Sequence, residues 1–155
     1  MMEPLVKTIE VACSQEKAFT VFMDMGSWWP VHKFATSTMR GQTVTALRVD
    51  AREGGQIVEV GSDNREQIWG TIKTYDPYRY LNMDFHIPHP SEKNPGFSTV
   101  EVRFTPMGDD RTRVELKQSN WERLGDVAKM VQGGYGQAWV MIFEGAYKAA
   151  CVAAP

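Results

Sequence analysis

The side chains in this sequence best suited to bind a metal ion or carry a proton are its three histidines. His86 and His89 stand three positions apart with Asp84 close by, whereas His32 is remote from them. A metal site requires neutral imidazoles that converge with a further ligand. Residues three apart in a strand point to opposite faces, and the prolines around His89 disturb any regular spacing. We therefore predict no essential metal, and we predict that His86 and His89 are solvated loop side chains.

Acidic residues also occur inside predicted strands, at Asp84, Glu101 and Glu115. Paired-carboxylate catalysis would need two of them on the same concave face. The glycine-rich run at 133–136 lacks the Gly-Lys-Ser/Thr ending of a phosphate loop. No matched nucleophile and base can be identified, so the sequence predicts no catalytic residue. The alternating pattern turns the neighbouring apolar side chains inward and leaves the acids outside; these apolar residues are Met83, Phe85, Val100, Val102, Val114 and Leu116.

Two adjacent tryptophans, Trp28 and Trp29, precede His32 in a short connection. Rings of this size are costly to expose, and a short helical turn has little room to bury both. We expect them near the mouth of a cavity, where their indole N–H groups and His32 would orient a ligand. A plain surface position for His32 is the alternative.

Composition limits the class of protein. The chain has 155 residues, of which 43% are hydrophobic and 23% charged, and its net charge is -2. This length and balance predict one globular domain spanning 1–155. Lys and Arg are scattered along the chain, which disfavours a nucleic-acid surface. No apolar run approaches the roughly 20 residues of a membrane span.

The cysteines and the N-terminus indicate the compartment. The first residues lack the pattern of a secretory signal peptide, so we expect a cytoplasmic protein. Cys13 and Cys151 lie near opposite ends of the chain. Without a secretion signal they are expected to be free thiols. A buried, unreactive thiol is the role expected for Cys13.

The N-terminal part of the chain predicts a strand followed by two short helices. Alternation from Leu5 to Val11 predicts the strand. Ser14 is a good N-cap for a helix that ends near Gly26. The segment 27–32 has the character of a second short helical turn.

From residue 43 to residue 119 the sequence has the character of a sheet. β-Branched and aromatic residues fall into segments separated by glycine, proline and Asn/Asp turn signals. Because short turns join consecutive strands, the segments predict an antiparallel meander. The six predicted strands are Thr43–Arg52, Gln56–Val60, Gln67–Tyr75, Tyr80–Ile87, Ser98–Thr105 and Arg111–Gln118.

After Trp121 the hydrophobic period becomes helical. The segment 123–131 is interpreted as a separate helical turn, and glycines 133–134 as the start or a kink of a long helix. An apolar stripe at i, i+3, i+4 and i+7 runs from Tyr135 to Ala150 and must be buried. The sequence therefore predicts an α+β fold. A curved antiparallel sheet wraps round a long C-terminal helix, with two short helices after the first strand.

This order of elements is similar to that of the START/birch-pollen-allergen superfamily, also called SRPBCC, which has the helix-grip fold. Local motifs resemble its bacterial branch related to the activator of the heat-shock chaperone ATPase. The resemblance covers nearly the whole chain. The motifs that carry it are Trp69–Ile72, Tyr75–Leu81, Val100–Pro106, Thr112–Leu116, Trp121–Gly125 and Tyr135–Trp139.

Two positions depart from the pattern of the resembled family. The family often has a tryptophan where this chain has Phe85, and a histidine-containing run where this chain has Lys117–Asn120. Such changes would reshape a cavity. The eukaryotic activator also carries a separate N-terminal chaperone-binding domain, for which this chain has no room. Chaperone activation is therefore not expected of this chain.

The aromatic side chains and the resemblance together predict a binding function. We expect a small hydrophobic or aromatic molecule to bind between the sheet and the C-terminal helix, without a cofactor, in a monomer or homodimer. An enzyme of the polyketide aromatase/cyclase or hydrolase kind is one alternative, which a polar constellation inside the cavity would favour. A protein-interaction module with a collapsed cavity is another. The predicted ligand-binding residues are Trp28, Trp29, His32, Trp69, Met83, Phe85, Val102, Gln118, Trp121, Tyr135, Trp139 and Phe143.

Overall fold

A computed structural model describes residues 2–93 and 95–152 of the chain. The apolar and β-branched segments form a seven-stranded sheet in which every pair of neighbours is antiparallel. The spatial order is β1-β7-β6-β5-β4-β3-β2, so that β1 closes on β7 and β2 forms the far edge. The strands are β1 (Leu5–Val11), β2 (Val44–Val49), β3 (Gln56–Gly61), β4 (Glu66–Asp76), β5 (Tyr80–Phe85), β6 (Ser98–Pro106) and β7 (Thr112–Ser119).

Register shifts curve the sheet at three places. They lie between Val44 and Ala46, between Ile57 and Val58, and between Ile72 and Thr74. An extra residue on one strand bends that strand and increases its twist. All three shifts fall in β2, β3 and β4, so this half of the sheet departs most from a regular ladder. Gly70 on β4 permits a close approach, because a Cβ there would stand 1.7 Å from the carbonyl oxygen of Asp84.

Helices cover the concave face. Helix α1 (Gln15–Met23) begins where the Ser14 hydroxyl accepts a hydrogen bond of 3.1 Å from the Lys17 N–H, as expected for an N-cap. A 3₁₀ turn (Met25–Ser27) and helix α2 (Thr36–Met39) follow. After β7 come a 3₁₀ segment (Trp121–Val127), α3 (Ala128–Trp139), a π-helical segment (Val140–Tyr147) and α4 (Lys148–Val152). The last three form one C-terminal helix, 128–152.

The structure confirms the predicted architecture, a curved antiparallel sheet that grips a long C-terminal helix. Two local predictions are wrong. The helical turn expected at 27–32 lies at Met25–Ser27 instead, because Pro30 disfavours helical geometry at the residue before it. The C-terminal helix begins at Ala128, and glycines 133–134 lie inside it. In the described part of the chain no helix is long and apolar enough to cross a membrane.

The core lies between the concave face and the C-terminal helix. The apolar side chains predicted to point inward from β5, β6 and β7 are all buried. The acids that alternate with them, Asp84, Glu101 and Glu115, are only partly buried on the other face. From the C-terminal helix, Tyr135, Trp139, Phe143 and Tyr147 reach the same core. The stripe at i, i+4, i+8 and i+12 is therefore the face that the sheet covers.

Candidate functional site

Aromatic rings fill the centre of the space between sheet and helix. The ring of Trp29 lies 5.1 Å from that of Trp69, 6.0 Å from Phe85 and 5.9 Å from Trp139, measured between centroids. Trp139 in turn stacks on Tyr135 at 5.9 Å. These separations are those of rings in direct contact. These five rings therefore meet in one interior, where they pack against one another.

Buried polar groups hold this aromatic centre in place. The Trp139 indole N–H donates to Gln118 Oε1 at 2.8 Å, and Gln118 Nε2 donates to Ser98 Oγ at 2.9 Å. The Trp69 indole N–H donates to Glu59 Oε1 at 2.8 Å. Since a buried polar group without a partner is costly, these bonds fix the orientation of both indoles. Gln118, which the sequence predicts as a ligand contact, is fully buried. Its amide oxygen and its amide nitrogen are both hydrogen-bonded to protein side chains.

An apolar cleft of about 620 Å³ opens at one end of this core. It lies between the loop that follows β5, the segment around α2, and the first half of the C-terminal helix. Its volume is within the range of small-molecule sites. Methionines stand at its rim, where Met130 is 74% exposed and Met39 is 40% exposed. The lining residues are Lys33, Phe34, Met39, His86, Ile87, His89, Ser91, Glu92, Lys93, Val127, Met130, Val131, Gly134, Tyr135, Ala138 and Ile142.

Among the predicted ligand-binding residues, Tyr135 lines this cleft. Trp28 and Trp29, expected at a cavity mouth, do not line this cleft; Trp28 lines a separate cleft between α1 and the end of the C-terminal helix. Trp28 is half-buried and its indole N–H donates to the Val21 carbonyl at 2.7 Å. Trp29 is buried in the aromatic centre, and its N–H donates to the Phe34 carbonyl at 2.9 Å.

The remaining predicted residues are distributed between the core and the surface. His32 is exposed. Met83 and Val102 are buried on the concave face of the sheet. Phe143 stacks on Tyr147 deeper along the helix, at 5.6 Å. Trp121 is fully buried, and its indole N–H has no hydrogen-bond partner in the described part of the chain.

His86 is buried, so the prediction of a solvated loop histidine is wrong for it; His89 is exposed as expected. Alternation along β5 would have put His86 on the outer face with Asp84. The strand ends at Phe85, however, and the chain then turns towards the C-terminal helix. There the Tyr135 hydroxyl accepts the Ile87 N–H at 2.7 Å and lies 3.0 Å from His86 Nδ1.

Glu92 completes a chain of three polar side chains at the wall of the cleft. Its Oε1 lies 2.9 Å from His86 Nε2, and its Oε2 accepts the His89 N–H at 2.7 Å. In the tautomer that carries its hydrogen on Nε2, His86 donates to the Glu92 carboxylate, and Nδ1 accepts from the Tyr135 hydroxyl. Burial raises the pKa of Tyr135, which keeps the phenol protonated.

A second buried carboxylate, Glu59, holds another wall of the cleft. It is fully buried on β3, next to Ile57 on the inner face. Its Oε1 accepts the Thr36 N–H at 2.9 Å and its Oε2 accepts the Ser37 N–H at 2.6 Å, besides the indole of Trp69. The Thr36 hydroxyl also donates to the Pro88 carbonyl at 2.7 Å. These bonds tie α2, which follows Phe34 and ends with Met39, to the sheet and to the loop after β5.

No metal centre is formed by the residues that the structure describes. Within 2–93 and 95–152, no group of three or more His, Cys, Asp or Glu side chains is placed to hold an ion. Cys13 and Cys151 are buried free thiols, as predicted. Burial raises the pKa of Cys151 to about 12 and also raises the pKa of Cys13. Neither thiol therefore has the character of a reactive nucleophile.

The curved sheet and the C-terminal helix that it grips define a helix-grip domain. The chain belongs to the family described as activator of Hsp90 ATPase homolog 1-like protein, whose model matches residues 13–145. The comparison with curated proteins gives no match.

Solved structures similar to the chain carry diverse functions. The anthrahydroquino-gamma-pyrone synthase Txn09 has 28% sequence identity and a TM-score of 0.62, with 97% of this chain and 95% of that chain covered. The self-sacrificing resistance protein CalC from Micromonospora echinospora has 19% identity and a TM-score of 0.68, with coverage of 96% and 93%. An Hsp90 activator from Plasmodium falciparum has 17% identity and a TM-score of 0.52, with coverage of 89% and 93%. The last two likenesses concern the fold alone.

Proposed function

We propose that the protein binds a small hydrophobic or aromatic molecule in the cleft between the loop after β5 and the C-terminal helix. The observation that carries the proposal is the cleft of about 620 Å³, which has a mainly apolar lining and a small set of polar groups on one wall. Ligand sites typically combine an apolar wall with a few convergent polar groups that fix orientation. Phe34, Ile87, Val131 and Ile142 supply apolar surface, and Tyr135 with His86 supplies the polar wall.

The methionines at the rim support a site that adapts to its ligand. Met39 and Met130 line the cleft and are exposed. Methionine is flexible and polarisable, and it is frequent on surfaces that accommodate ligands of varied shape. Exposing a methionine side chain to water is unfavourable, and a bound apolar molecule would remove that surface from water. In this proposal the packed rings of Trp29, Trp69, Phe85 and Trp139 form the rigid wall behind Tyr135.

Glycines in the C-terminal helix provide a test that alters the cleft without disturbing the core. Gly134 lines the cleft, and a Cβ built there meets no atom within 4 Å. Gly133 has the same free space but does not line the cleft. Leucine is a better helix former than glycine, so neither Gly134→Leu nor Gly133→Leu should destabilise the fold. Gly134→Leu places an isobutyl group in the cleft, and Gly133→Leu is its matched control.

Fluorescence titration with N-phenylnaphthylamine, an apolar probe that brightens in apolar surroundings, measures the binding. We expect saturable one-to-one binding to the wild type and to Gly133→Leu. We expect affinity at least about tenfold lower for Gly134→Leu, which corresponds to about 1.4 kcal/mol. Tryptophan emission should change on binding, because Trp121 and Trp139 each lie 5.9 Å from the Tyr135 ring. Equal affinity in both variants would place the site elsewhere, and no binding by any of the three proteins would contradict the proposal.

An enzyme is the second candidate function. Two observations favour it: the polar chain of Tyr135, His86 and Glu92 at the cleft, and the 28% identity over nearly the whole chain to the synthase Txn09. Turnover of an added aromatic substrate would separate this function from binding alone.

We further propose that residues 1–155 fold as one domain in the cytoplasm. The family model spans 13–145, which supports a single unit, and two free thiols suit a reducing compartment. Cell fractionation tests the location. A single unfolding transition seen by both fluorescence and circular dichroism would support the single domain.

A further inference from the structure

Tyr135, His86 and Glu92 form a chain of polar side chains, and all three residues line the cleft. The Tyr135 oxygen accepts a hydrogen bond from the Ile87 N–H and lies 3.0 Å from His86 Nδ1. His86 Nε2 is bonded to Glu92 at 2.9 Å, and the second oxygen of Glu92 is held by the His89 N–H. His86 thus orients the Tyr135 hydroxyl, Glu92 orients His86, and the backbone N–H of His89 orients the Glu92 carboxylate. Carboxylate, imidazole and hydroxyl in this order are the parts of an acid–base relay.

We propose that Tyr135, His86 and Glu92 form a proton relay that ionises a phenolic or enolic hydroxyl of a ligand bound in the cleft. This inference rests on the proposed binding function. It goes beyond that function because it names the ligand chemistry and the proton transfer. An aromatic molecule with an acidic hydroxyl would fit, since its ring suits the apolar lining and its oxygen finds one polar wall.

The transfer balances without a further reactant. The ligand O–H bond breaks and its proton passes to the Tyr135 oxygen, while the Tyr135 proton passes to His86 Nδ1. Tyr135 is then again a neutral phenol that donates to the ligand oxygen anion and accepts from Ile87 and His86. The imidazolium keeps its Nε2–H bond to the Glu92 carboxylate, which stabilises the new positive charge. The raised pKa of Tyr135 agrees with a phenol that passes a proton on and does not remain ionised.

Other charged groups at the cleft are few and lie at its rim. Lys33 is exposed and lies over the Phe34 ring, and His89 is exposed with its Nδ1 bonded to Ser91. The lysines would favour a ligand anion, but as solvated surface charges their effect is weak. His86 is 2% exposed and has direct partners in Glu92 and Tyr135. The titratable groups that line the cleft are Lys33, His86, His89, Glu92, Lys93 and Tyr135.

The test compares para-nitrophenol with para-nitroanisole, its methyl ether. The two probes have similar rings, but the ether has no proton to lose. The absorbance of bound para-nitrophenol gives its ionised fraction across the pH range in which the free phenol ionises. We expect the wild type to lower the pKa of the bound phenol by about 1 or more, because the phenolate gains a donor and a nearby imidazolium. At a fixed lower pH its ionised fraction is then about tenfold higher than in water.

Substitutions assign the shift to the relay. Tyr135→Phe should abolish it, and Glu92→Gln should reduce it. Tyr78→Phe, an exposed tyrosine outside the cleft, is the control and should change nothing. Tyr135→Phe leaves the Ile87 N–H without its hydrogen-bond partner. If that variant does not fold, Glu92→Gln alone tests the relay.

Two outcomes contradict the relay but leave the proposed binding function standing. They are binding of both probes without a pKa shift, and a pKa shift that Glu92→Gln leaves intact. Binding of neither probe overturns both.

Discussion

Glu59 is the buried residue on which the wall around α2 depends. Its carboxylate accepts hydrogen bonds from the Thr36 N–H, the Ser37 N–H and the Trp69 indole. Glu59→Gln would put an amide NH₂ against one of these donors. We expect the free energy of unfolding to fall by about 1–3 kcal/mol, the cost of an unpaired buried polar group. Urea unfolding measures the change.

The matched control for this substitution is Glu66→Gln. Glu66 is exposed and pairs with Arg48 across the surface at 3.2 Å. Exposed ion pairs contribute little to stability, so the free energy of unfolding of Glu66→Gln should differ from that of the wild type by no more than about 0.5 kcal/mol. If Glu59→Gln is as stable as this control, the carboxylate does not anchor α2.

Individual site residues could be predicted only where a regular period extended over them. Tyr135 belongs to a helical stripe, and the sequence placed it correctly on the buried face. His86 lies one residue beyond the end of β5, where alternation no longer applies, and its partner Glu92 is on an irregular loop. Glu59 is two residues from Ile57 on the same strand and therefore shares its inner face, so its inward direction could be predicted. Its role as an anchor for α2 could not, because that role depends on backbone groups of a segment distant in sequence.

At the scale of elements, the sequence predicted the strands well. The predicted strand Gln67–Tyr75 is observed as Glu66–Asp76, and Ser98–Thr105 as Ser98–Pro106. Alternation and turn residues are local signals, so most strand ends were predicted to within a residue or two. The exception is β2, which ends at Val49, three residues before the predicted end at Arg52. The helix start at Ala128 was missed because glycine disfavours helix on propensity alone. In the structure, packing of the stripe against the sheet overrides that preference at 133–134.

Trp139 is the residue through which the C-terminal helix is fixed to the sheet. It is 1% exposed, contacts Trp29 and Phe85, and donates to Gln118. Trp139→Ala should lower the free energy of unfolding by about 3–5 kcal/mol, because it leaves a cavity and an unpaired amide oxygen. Denaturant unfolding measures this loss.

Met130 on the same helix provides the comparison for Trp139. It is 74% exposed, so Met130→Ala should stay within about 0.5 kcal/mol of wild type. Equal midpoints for Trp139→Ala and the wild type would show that the helix does not depend on this contact.

At the scale of the whole molecule, the cleft forms only where segments that are distant in sequence pack together. Its walls come from the segment around α2, from the loop after β5 and from the C-terminal helix, which are far apart in sequence. Hydrophobic period indicates which face of an element is buried, but not where two buried faces leave a gap. The sequence predicted a ligand site between sheet and helix, where packed rings fill the space, and it did not predict the cleft at the end of that core. The position of the open space depends on how the Glu59 and Tyr135 hydrogen bonds place the surrounding segments.

Two buried thiols and a buried phenol, those of Cys151, Cys13 and Tyr147, should make the whole molecule sensitive to alkali. Burial raises the pKa of Cys151 from 9.0 to about 12, and it also raises the pKa of Cys13 and Tyr147. Their neutral forms are favoured in the folded state, so the stabilisation is complete below the unfolded pKa values. It is lost as the pH rises from 9.0 towards 12, because the unfolded chain releases protons more readily. Urea midpoints should therefore fall steadily over this range. Cys151→Ala removes one such group and should flatten the decline, whereas an equally steep decline in that variant would assign it to other residues.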